Sequence, residues 1–477
     1  MPTASPAPAS LAARRETGEA KVQQIGYKTG MNASAQPDGQ LLLLDSTRPY
    51  PVLDHARGAY VWDTAGKRYL DAIAGIAVVN LGYGRDEIVD AIDRQARRLP
   101  FTVANTFLNE PALELASMVA ELAPDDLDYV HFSSGGSEAI ELALKLTRQY
   151  HVECGRPEKS IFISRWTSYH GATLAALSLT GSRSRRAIYE PLLIDFPHIE
   201  PCYCFRCPFD LSFPACSVKC ATELDRVIQS IGPDRVAGFV AEPIVASVGG
   251  AIGTPTEYFP MIREICDRYD VLLVADEIVT GFGRSGKNFA MEHSEVVPDL
   301  LVMGKGMSGG YAPLAGVALR AHVHHVLARP GTTVEHVFTY GGNPISAAAG
   351  VAALSIFARE RILEHVTEIA PYLREALETL RRFTFVGDVR CSGLMAAMEF
   401  VVDKDAKTPF PVEAGFAQHV QRTALSHGVV VYPGTGMADG KRGDIISLYP
   451  PLNFTRSHVD ELVSGLEASF SEIETNL

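Results

Sequence analysis

The sequence has 477 residues, of which 47% are hydrophobic and 21% are charged, and its formal net charge is −13. This composition excludes a disordered chain and supplies enough apolar residues for a large core. The negative charge argues against nucleic acid or an anionic membrane as the main partner, since both attract clustered cations. No stretch approaches the roughly 20 apolar residues of a transmembrane helix, so we expect no membrane span.

The first segments of the chain predict a tail and a small hairpin. The first 20 residues are rich in Ala, Pro and Ser and lack the apolar run of a secretory signal, so we interpret residues 1–30 as a flexible tail or a targeting remnant. Further along, Tyr60–Asp63 and Lys67–Leu70 flank Thr64–Gly66. Two short strand-like runs around a glycine-containing turn are typical of a hairpin.

From about residue 85, amphipathic stretches alternate with short apolar runs. Helices are predicted over Glu87–Leu99 and Glu110–Leu122. The runs predicted as strands are Tyr129–Phe132, Ser160–Ile163, Gly238–Val240, Val271–Ala275 and Leu300–Met303. This alternation predicts βαβ units, and therefore an α/β fold with a mainly parallel sheet flanked by helices on both faces.

The pattern changes after Pro344. A helix-rich stretch from Ser346 to Arg382 leads into a pair of hairpin-like runs that ends near residue 450, and a closing amphipathic helix follows. We predict a large domain over residues 76–344 and a smaller α+β domain over 345–477. Residues 31–75 are expected to join the smaller domain.

Three predicted strands end in residues that can carry chemistry. The first end, Ser133–Glu138, leads into a helix whose free N–H groups favour an anion, although a simple turn with Ser137 as helix N-cap is the alternative. The second is Asp276, which at the end of an apolar strand needs a cation, a strong donor or a helix to cap. The third is Lys305. Burial can lower the pKa of its amine, and the alternative interpretation is a lysine whose long side chain reaches solvent.

Together these residues suit pyridoxal 5′-phosphate (PLP). This cofactor needs an anion cradle, a carboxylate facing its pyridine nitrogen and a lysine that holds it as a Schiff base. The carboxylate makes the ring an electron sink, and the released lysine becomes the base that moves a proton. Tyr169, which follows the Ile161–Ile163 run, supplies an aromatic side chain to stack on the ring.

At these residues the sequence resembles the class III (omega-type) aminotransferases of PLP fold type I, over about residues 45–470. Asp276–Gly286 is similar to the family's signature around the pyridine-binding aspartate, and Gly304–Gly306 is similar to its lysine segment. The resemblance implies that Gly136 and Ser137 bind the phosphate. It also implies that Tyr169 stacks on the ring, that Asp276 pairs with the pyridine nitrogen and that Lys305 forms the Schiff base.

The resemblance assigns three further cofactor residues. Glu242, in a Glu-Pro pair, is expected to orient the groups around the cofactor, and Ile278 to pack behind the ring. Thr339 resembles the threonine that reaches the phosphate of the other subunit, which implies a homodimer with shared active sites. Gly341 stands where the family usually has serine. Whether the dimers pair into tetramers stays open.

Two serine positions and two arginines bear on which substrate the protein accepts. The resemblance is closest to the omega-amino acid/amine:pyruvate branch. Members that use 2-oxoglutarate carry an acid and an arginine where this chain has Ser247 and Ser447, which favours pyruvate or another monocarboxylate. Arg442 and Arg165 are candidate carboxylate binders, and a solvated surface arginine is the alternative interpretation of Arg442.

Eight cysteines in a chain of this length are not a disulfide scaffold, so a reduced, cytoplasmic protein is expected. Five of them crowd together, at positions 202, 204, 207, 216 and 220. They could hold zinc or an iron–sulfur centre, or they could be reduced thiols that pack a loop. The spacing matches no zinc finger and the segment contains no histidine, so we assign no metal.

The sequence therefore predicts a PLP-dependent aminotransferase that moves an amino group between an amine or omega-amino acid and a 2-oxo acid such as pyruvate. The main alternative is an amino-acid racemase or epimerase of the same fold, in which the proton returns to Cα from the opposite face. A decarboxylase is less favoured, because its substrate-binding arginine would also be expected before Pro450. A catalytically inactive regulatory protein is disfavoured by the intact Asp276 and Lys305.

Overall fold

The computed structural model describes residues 50–477. The predicted tail, 1–30, and residues 31–49 of the predicted smaller domain lie outside the described residues. The described residues belong to two compact units, one that includes residues 50–55 and 62–67 and one that contains 56–61 and 68–477. In the first unit, the Thr64 N–H donates to the Val52 carbonyl (2.8 Å), and His55 stacks on Trp62 with ring centroids 4.8 Å apart.

The strands and helices alternate through most of the chain. The strands are β1 (Leu53–Arg57), β2 (Tyr60–Asp63), β3 (Arg68–Asp71), β4 (Tyr129–Ser133), β5 (Ile161–Arg165), β6 (His198–Ile199), β7 (Val236–Ala241), β8 (Leu272–Asp276), β9 (Leu300–Met303), β10 (Ala315–Leu319), β11 (Val386–Ser392), β12 (Met395–Phe400), β13 (Val429–Val430), β14 (Tyr432–Gly434) and β15 (Asp444–Leu448). Within residues 50–477, the right-handed α-helices are α1 (Asp86–Arg98), α2 (Glu110–Leu122), α3 (Gly136–Glu153), α4 (Leu174–Leu179), α5 (Arg183–Arg186), α6 (Lys219–Ile231), α7 (Tyr258–Tyr269), α8 (Ala321–Leu327), α9 (Pro344–Arg359), α10 (Ile362–Glu378), α11 (Phe416–Ser426) and α12 (Arg456–Thr475).

A seven-stranded sheet in the order β4-β10-β9-β8-β7-β5-β6 forms the centre of the large unit. Strands β6, β5, β7, β8 and β9 pair in parallel, and β10 is antiparallel to both β9 and β4. The predicted mainly parallel α/β fold is confirmed. The five predicted strands all form, whereas β10 was not predicted, because Ala315-Gly316 gives it little of the β-branched character that marks a strand.

Successive residues of the central strands face opposite sides of this sheet. Val274 belongs to the apolar cluster formed with helix α3, whereas its neighbour Leu273 belongs to the cluster formed with helices α6 and α7. Both residues are fully buried. Helices thus cover both faces of the sheet, as its continuous apolar strands require. None of the helices within residues 50–477 is long and apolar enough to cross a membrane.

The C-terminal residues form a second sheet, in the antiparallel order β11-β12-β15-β14. The predicted helix-rich stretch is divided into α9 and α10 at Arg361, which has a φ of 51°. Strand β3 pairs in parallel with β13, which joins the segment near residue 70 to the C-terminal part of the chain. The division of the chain near residue 345 stays a prediction.

Candidate active site

The carboxyl ends of parallel strands β5, β7, β8 and β9 lie at one edge of the sheet, where open α/β sheets bind ligands. Three of these strands end in a polar residue or are followed by one: Glu242 comes after β7, Asp276 ends β8 and Lys305 comes just after β9. His170 comes from the loop after β5. The topology therefore brings together residues that are far apart in the sequence.

Asp276 is buried and held by two donors. Its Oδ2 lies 2.8 Å from Nδ1 of His170, and its Oδ1 accepts the backbone N–H of Ile278 at 3.1 Å. The His170 side chain is completely buried, and its Nε2 has no hydrogen-bond partner within the described residues. The contact with His170 was not predicted from the sequence, although the histidine directly follows Tyr169.

Glu242 connects this carboxylate to the predicted stacking tyrosine. Its Oε1 accepts the backbone N–H of Tyr169 at 2.9 Å, and its Oε2 accepts that of Ala246 at 3.0 Å. Burial raises the pKa of the Glu242 carboxyl, His170 opposes this rise and the nearby charge of Asp276 adds to it. Glu242 thus fixes the backbone at Tyr169 while it remains within electrostatic reach of Asp276.

Lys305 begins a short 3₁₀ turn directly after β9, with a φ of 42°, and is only partly exposed. Burial lowers its pKa from 10.5 to about 8, and the charges of Asp276 and Glu242 partly oppose this decrease. A lysine with such a pKa is neutral in a substantial fraction of molecules near pH 7–8, so its amine is available as a nucleophile. Asp276 and Lys305 therefore lie at the ends of neighbouring strands, and the predicted phosphate loop after β4 is separated from β9 by strand β10.

The loop after β4 leaves its N–H groups at the start of helix α3. The helix begins at Gly136, and the N-cap is Gly135, with no side-chain cap. The alternative of Ser137 as N-cap is wrong, because Ser137 lies inside the first turn, where its Oγ accepts the N–H of Ala172 at 3.0 Å. Nothing lies within 4 Å of the position that a Cβ would take at Gly135. The first turn thus offers an open cradle for an anion.

Ile278 packs against two glycines of the site. A Cβ at Gly136 would be 2.9 Å from Cδ1 of Ile278, and one at Gly304 would be 3.7 Å from its Cγ2. The isoleucine therefore lies between the predicted phosphate loop and the residue that precedes Lys305. This position is compatible with the predicted role behind the cofactor ring.

Thr339 is exposed in a turn that contacts β4. A Cβ at Gly341 would be 2.8 Å from the Phe132 carbonyl oxygen, which accounts for glycine at this position. The side-chain amide of Asn109 donates to the Gly342 carbonyl at 3.0 Å and so joins the segment before helix α2 to this turn. Among the described residues of one chain, the structure shows no contact of Thr339 with the phosphate loop, Asp276 or Lys305.

The two predicted substrate arginines bind protein groups. Arg442 is exposed, and its Nε donates to Asp439 Oδ2 at 2.7 Å. Arg165 is buried, its guanidinium donates to the Glu242 carbonyl and it lies 5.7 Å from the ring centre of Tyr258. Arg165 thus supports the backbone of Glu242.

Arg284 is a second residue that the sequence did not single out, although it lies inside the Asp276–Gly286 signature. It is fully buried and donates to the carbonyls of Leu394 and Pro450 and to Oδ1 of Asn80, the last at 2.7 Å. One guanidinium therefore joins three segments that are distant in the sequence.

The five crowded cysteines all line one small cavity, and every cysteine of the chain is a free thiol. No group of three or more His, Cys, Asp or Glu side chains within residues 50–477 is arranged to hold a metal ion. The segment is anchored by a buried carboxylate, Glu399, which accepts hydrogen bonds from Tyr203, from Arg206 Nε at 2.6 Å and from Arg390 at 3.0 Å. The cysteine loop is thus fixed to strand β12.

The residues fit a PLP cofactor in type and placement: an open anion cradle, a buried carboxylate and a lysine of lowered pKa share one sheet edge. The model of the Aminotransferase class-III family matches residues 45–470. The chain belongs to the class-III aminotransferases. These enzymes depend on PLP, and they use an amino donor and a 2-oxo acid. The predicted family, enzyme class and cofactor are confirmed.

Named relatives of this aminotransferase align over most of its length. The putrescine–pyruvate aminotransferase of Pseudomonas aeruginosa is 37% identical over 422 residues, which cover 87% of this chain and 89% of the relative. An (S)-enantioselective omega-transaminase from Thermomicrobium roseum has a TM-score of 0.83 at 34% identity and covers 89% of this chain and 93% of its own. A PLP-bound amine transaminase from an uncultivated Pseudomonas species has a TM-score of 0.85 at 32% identity, with coverage of 92% and 99%.

Proposed function

We propose that this aminotransferase moves an amino group between a primary amine or omega-amino acid and a 2-oxo monocarboxylate such as pyruvate. The proposal is carried by the neutral pair Ser247 and Ser447. Both serines are buried, and Ser447 lies in β15 opposite Ala397 of β12 and Tyr432 of β14. By the resemblance, an arginine in place of Ser447 would bind the α-carboxylate of 2-oxoglutarate and an acid in place of Ser247 would switch that arginine away, and this chain has neither charge. The names of the relatives, which include amine and putrescine substrates, agree with this assignment.

We assign the following roles in the reaction to residues of this chain. When bound, PLP supplies an electrophilic carbon for the amine and a ring that withdraws electrons from the substrate Cα–H bond. The N–H groups of the first turn of α3, at Gly136 and Ser137, would hold the phosphate. Asp276 would pair with the pyridine nitrogen, and Tyr169 would lie against the ring. Lys305 Nζ would hold the cofactor, and its free amine would serve as the base for the substrate Cα proton.

A screen of amino donors against two acceptors tests this function. The purified holoenzyme is incubated with monoamines, diamines or omega-amino acids and either pyruvate or 2-oxoglutarate, and alanine or glutamate is measured. Formation of alanine with little glutamate is the expected result, and transfer only to 2-oxoglutarate would contradict the proposal. A single chiral amino acid without any 2-oxo acid tests the alternative, since catalytic racemisation would identify a racemase whereas an aminotransferase converts one equivalent per site.

Borohydride reduction followed by peptide mapping tests the site. The pyridoxyl group is expected on Lys305, and a label on another lysine would contradict the assignment.

We further propose that the enzyme is a homodimer in which Thr339 reaches the partner's phosphate site. Large apolar side chains are exposed beside this turn: Phe107 and Leu108 are 64% and 76% exposed, and Tyr340 is 62% exposed. The ring centroids of Phe101 and Tyr340 lie 5.9 Å apart, and Phe107 and Leu108 line a cavity together with Gly341 and Gly342 of the same turn. An exposed apolar surface of this kind is typical of an interface. We also propose a reducing, cytoplasmic location, which the eight free thiols support.

A further inference from the structure

The arginines around the candidate active site differ in what they bind. The guanidinium groups of Arg165 and Arg284 are buried against backbone carbonyls, and Arg442 pairs with Asp439. Arg186 is also buried and donates to the carbonyl of Ser178 and to Glu190. These four cations are therefore engaged in holding the fold.

Arg185 is exposed and has a different environment. Its guanidinium carbon lies 4.7 Å from the ring centre of Tyr169, the predicted stacking residue, and its Nη2 donates to the Tyr432 hydroxyl at 2.9 Å. It makes no ion pair within the described residues. A guanidinium has five N–H donors, so a carboxylate can still bind its free edge while the ring and the hydroxyl fix its orientation.

The position of Arg185 relates it to the reaction site. Tyr169 is held by Glu242, and Tyr432 is the register partner of Ser447 in β15. Burial is the main cause of the lowered pKa of Lys305, and the positive charge of Arg185 adds a smaller contribution in the same direction. The guanidinium thus contacts both the predicted cofactor-stacking residue and the tyrosine that pairs with Ser447 in the sheet.

We propose that Arg185 is the carboxylate-binding subsite for the amino acceptor, and that it holds the carboxylate of a 2-oxo acid while the keto carbon faces Lys305. This assignment rests on the proposed function and deepens it. It predicts that acceptors with a carboxylate next to the keto carbon are preferred over uncharged aldehydes, because a bidentate guanidinium–carboxylate pair is charge-assisted and directional. A monoamine donor has no carboxylate, so its use does not need Arg185.

The test compares two acceptors with one monoamine donor in the holoenzyme. For Arg185→Gln, kcat/KM for pyruvate is expected to fall about 10- to 100-fold, the range for loss of hydrogen bonds to a charged group, whereas kcat/KM for butanal is expected to fall far less. Propionate, a non-reacting monocarboxylate, is expected to perturb the cofactor absorbance of the wild type and to do so only at higher concentration in the variant. Arg185→Lys is expected to recover part of the loss.

Arg183→Gln is the matched control, because its guanidinium lies two residues away over Trp166, at 3.9 Å, instead of over Tyr169. It is expected to leave both acceptors unaffected. Equal losses for pyruvate and butanal in Arg185→Gln would indicate that the arginine only supports Tyr169, and unchanged pyruvate kinetics would show that it binds no carboxylate. Either result overturns this assignment alone. A wild-type enzyme that transfers its amino group to neither acceptor overturns the proposed function and this assignment with it.

Discussion

His170 Nδ1 lies 2.8 Å from Asp276 Oδ2, and both side chains are buried. An ionised carboxylate can only accept, so this contact places the imidazole proton on Nδ1. The other carboxylate oxygen accepts the N–H of Ile278. The imidazole therefore fixes the orientation of the carboxylate that is proposed to face the pyridine nitrogen.

Asp276→Asn is expected to lower kcat by about 10²–10³-fold, in the range for removal of one preorganised electrostatic group. The amide is nearly isosteric but cannot keep the ring nitrogen protonated, so abstraction of the Cα proton should become rate-limiting. A deuterium isotope effect at Cα, measured in the variant and the wild type, checks this explanation. A variant with near-normal kcat would contradict the role given to Asp276. Glu292→Gln serves as control, because the Glu292 side chain lies near the signature and, among residues 50–477, accepts a hydrogen bond from the N–H of Phe289 alone.

The pKa of Lys305 predicts how stability depends on pH. Its pKa is about 8 in the folded protein and 10.5 in an ordinary environment. Between these values the unfolded chain binds more protons than the native, cofactor-free protein, so the free energy of unfolding rises with pH through this group. Lys305→Met is therefore expected to stabilise the cofactor-free protein at pH 7, and this advantage should shrink by pH 9.5. Urea denaturation at both pH values measures it.

Lys305→Arg keeps the buried charge and controls for changes in packing. It is expected to give no stabilisation at pH 7. If the advantage of Lys305→Met were the same at pH 7 and pH 9.5, burial of the charge would not be its cause.

Gly171→Ala is expected to weaken cofactor binding. Gly171 has a φ of +140°, and a Cβ there would be 2.6 Å from Ser137 Oγ and 2.9 Å from the Ala176 Cβ. The methyl group must displace Ser137 from its hydrogen bond with Ala172, at the proposed phosphate cradle. We expect a higher Kd for PLP, measured by absorbance titration, and a loss of about 1–3 kcal/mol in stability, the usual cost of forcing extra volume into a packed site.

Gly155→Ala is the matched control for that substitution. Gly155 has a φ of +76° and nothing within 4 Å of a Cβ, so it carries only the backbone penalty, about 1 kcal/mol. An unchanged Kd for PLP is expected in this control. If Gly171→Ala also kept the wild-type Kd, Ser137 would not belong to the phosphate site.

Glu399→Ala is expected to destabilise the protein by up to about 3–5 kcal/mol, because Arg206 and Arg390, whose side chains are only 14% and 11% exposed, lose the buried carboxylate that they share. Arg390 keeps its contact with Asp388. The free energy of unfolding in urea gives this value. Glu364→Ala removes an exposed partner of Arg361 and is expected to leave stability nearly unchanged. Similar effects of the two substitutions would show that the buried network does not stabilise the fold.

Leu108→Arg is expected to convert the proposed dimer to monomers, since it places a charge in the exposed apolar surface beside Thr339. Light scattering coupled to size-exclusion chromatography measures the mass. Val412→Arg, at a 56% exposed residue of a different segment, is expected to keep the wild-type mass. A wild-type protein that elutes as a monomer at micromolar concentration would contradict the dimer.

The sequence predicts the fold and the candidate site best at apolar strands that are followed by a residue able to take part in chemistry. Leu300–Met303 was predicted with its observed bounds, and Asp276 and Lys305 stand out because a charged residue directly after an apolar run is unusual. The partner of Asp276 could not be predicted, since His170 is 106 residues away. Loop geometry, which no local pattern encodes, decides whether Arg185 or Arg442 faces the site.

The start of helix α3 shows how a small error changes an interpretation. Ser137 is a favourable N-cap residue, but the helix begins at Gly136 because Gly135 already takes the extended conformation of the cap. Ser137 therefore turns towards the loop after β5. Strand β10 was missed for a different reason, since its neighbours in the sheet stabilise it more than its own sequence does.

The buried guanidinium of Arg284 has a mechanical consequence. It fastens Asn80, Leu394 and Pro450 to the signature segment that begins at Asp276. A substitution at Arg284 would therefore leave two backbone carbonyls and one side-chain amide, from three separate stretches, without their shared donor.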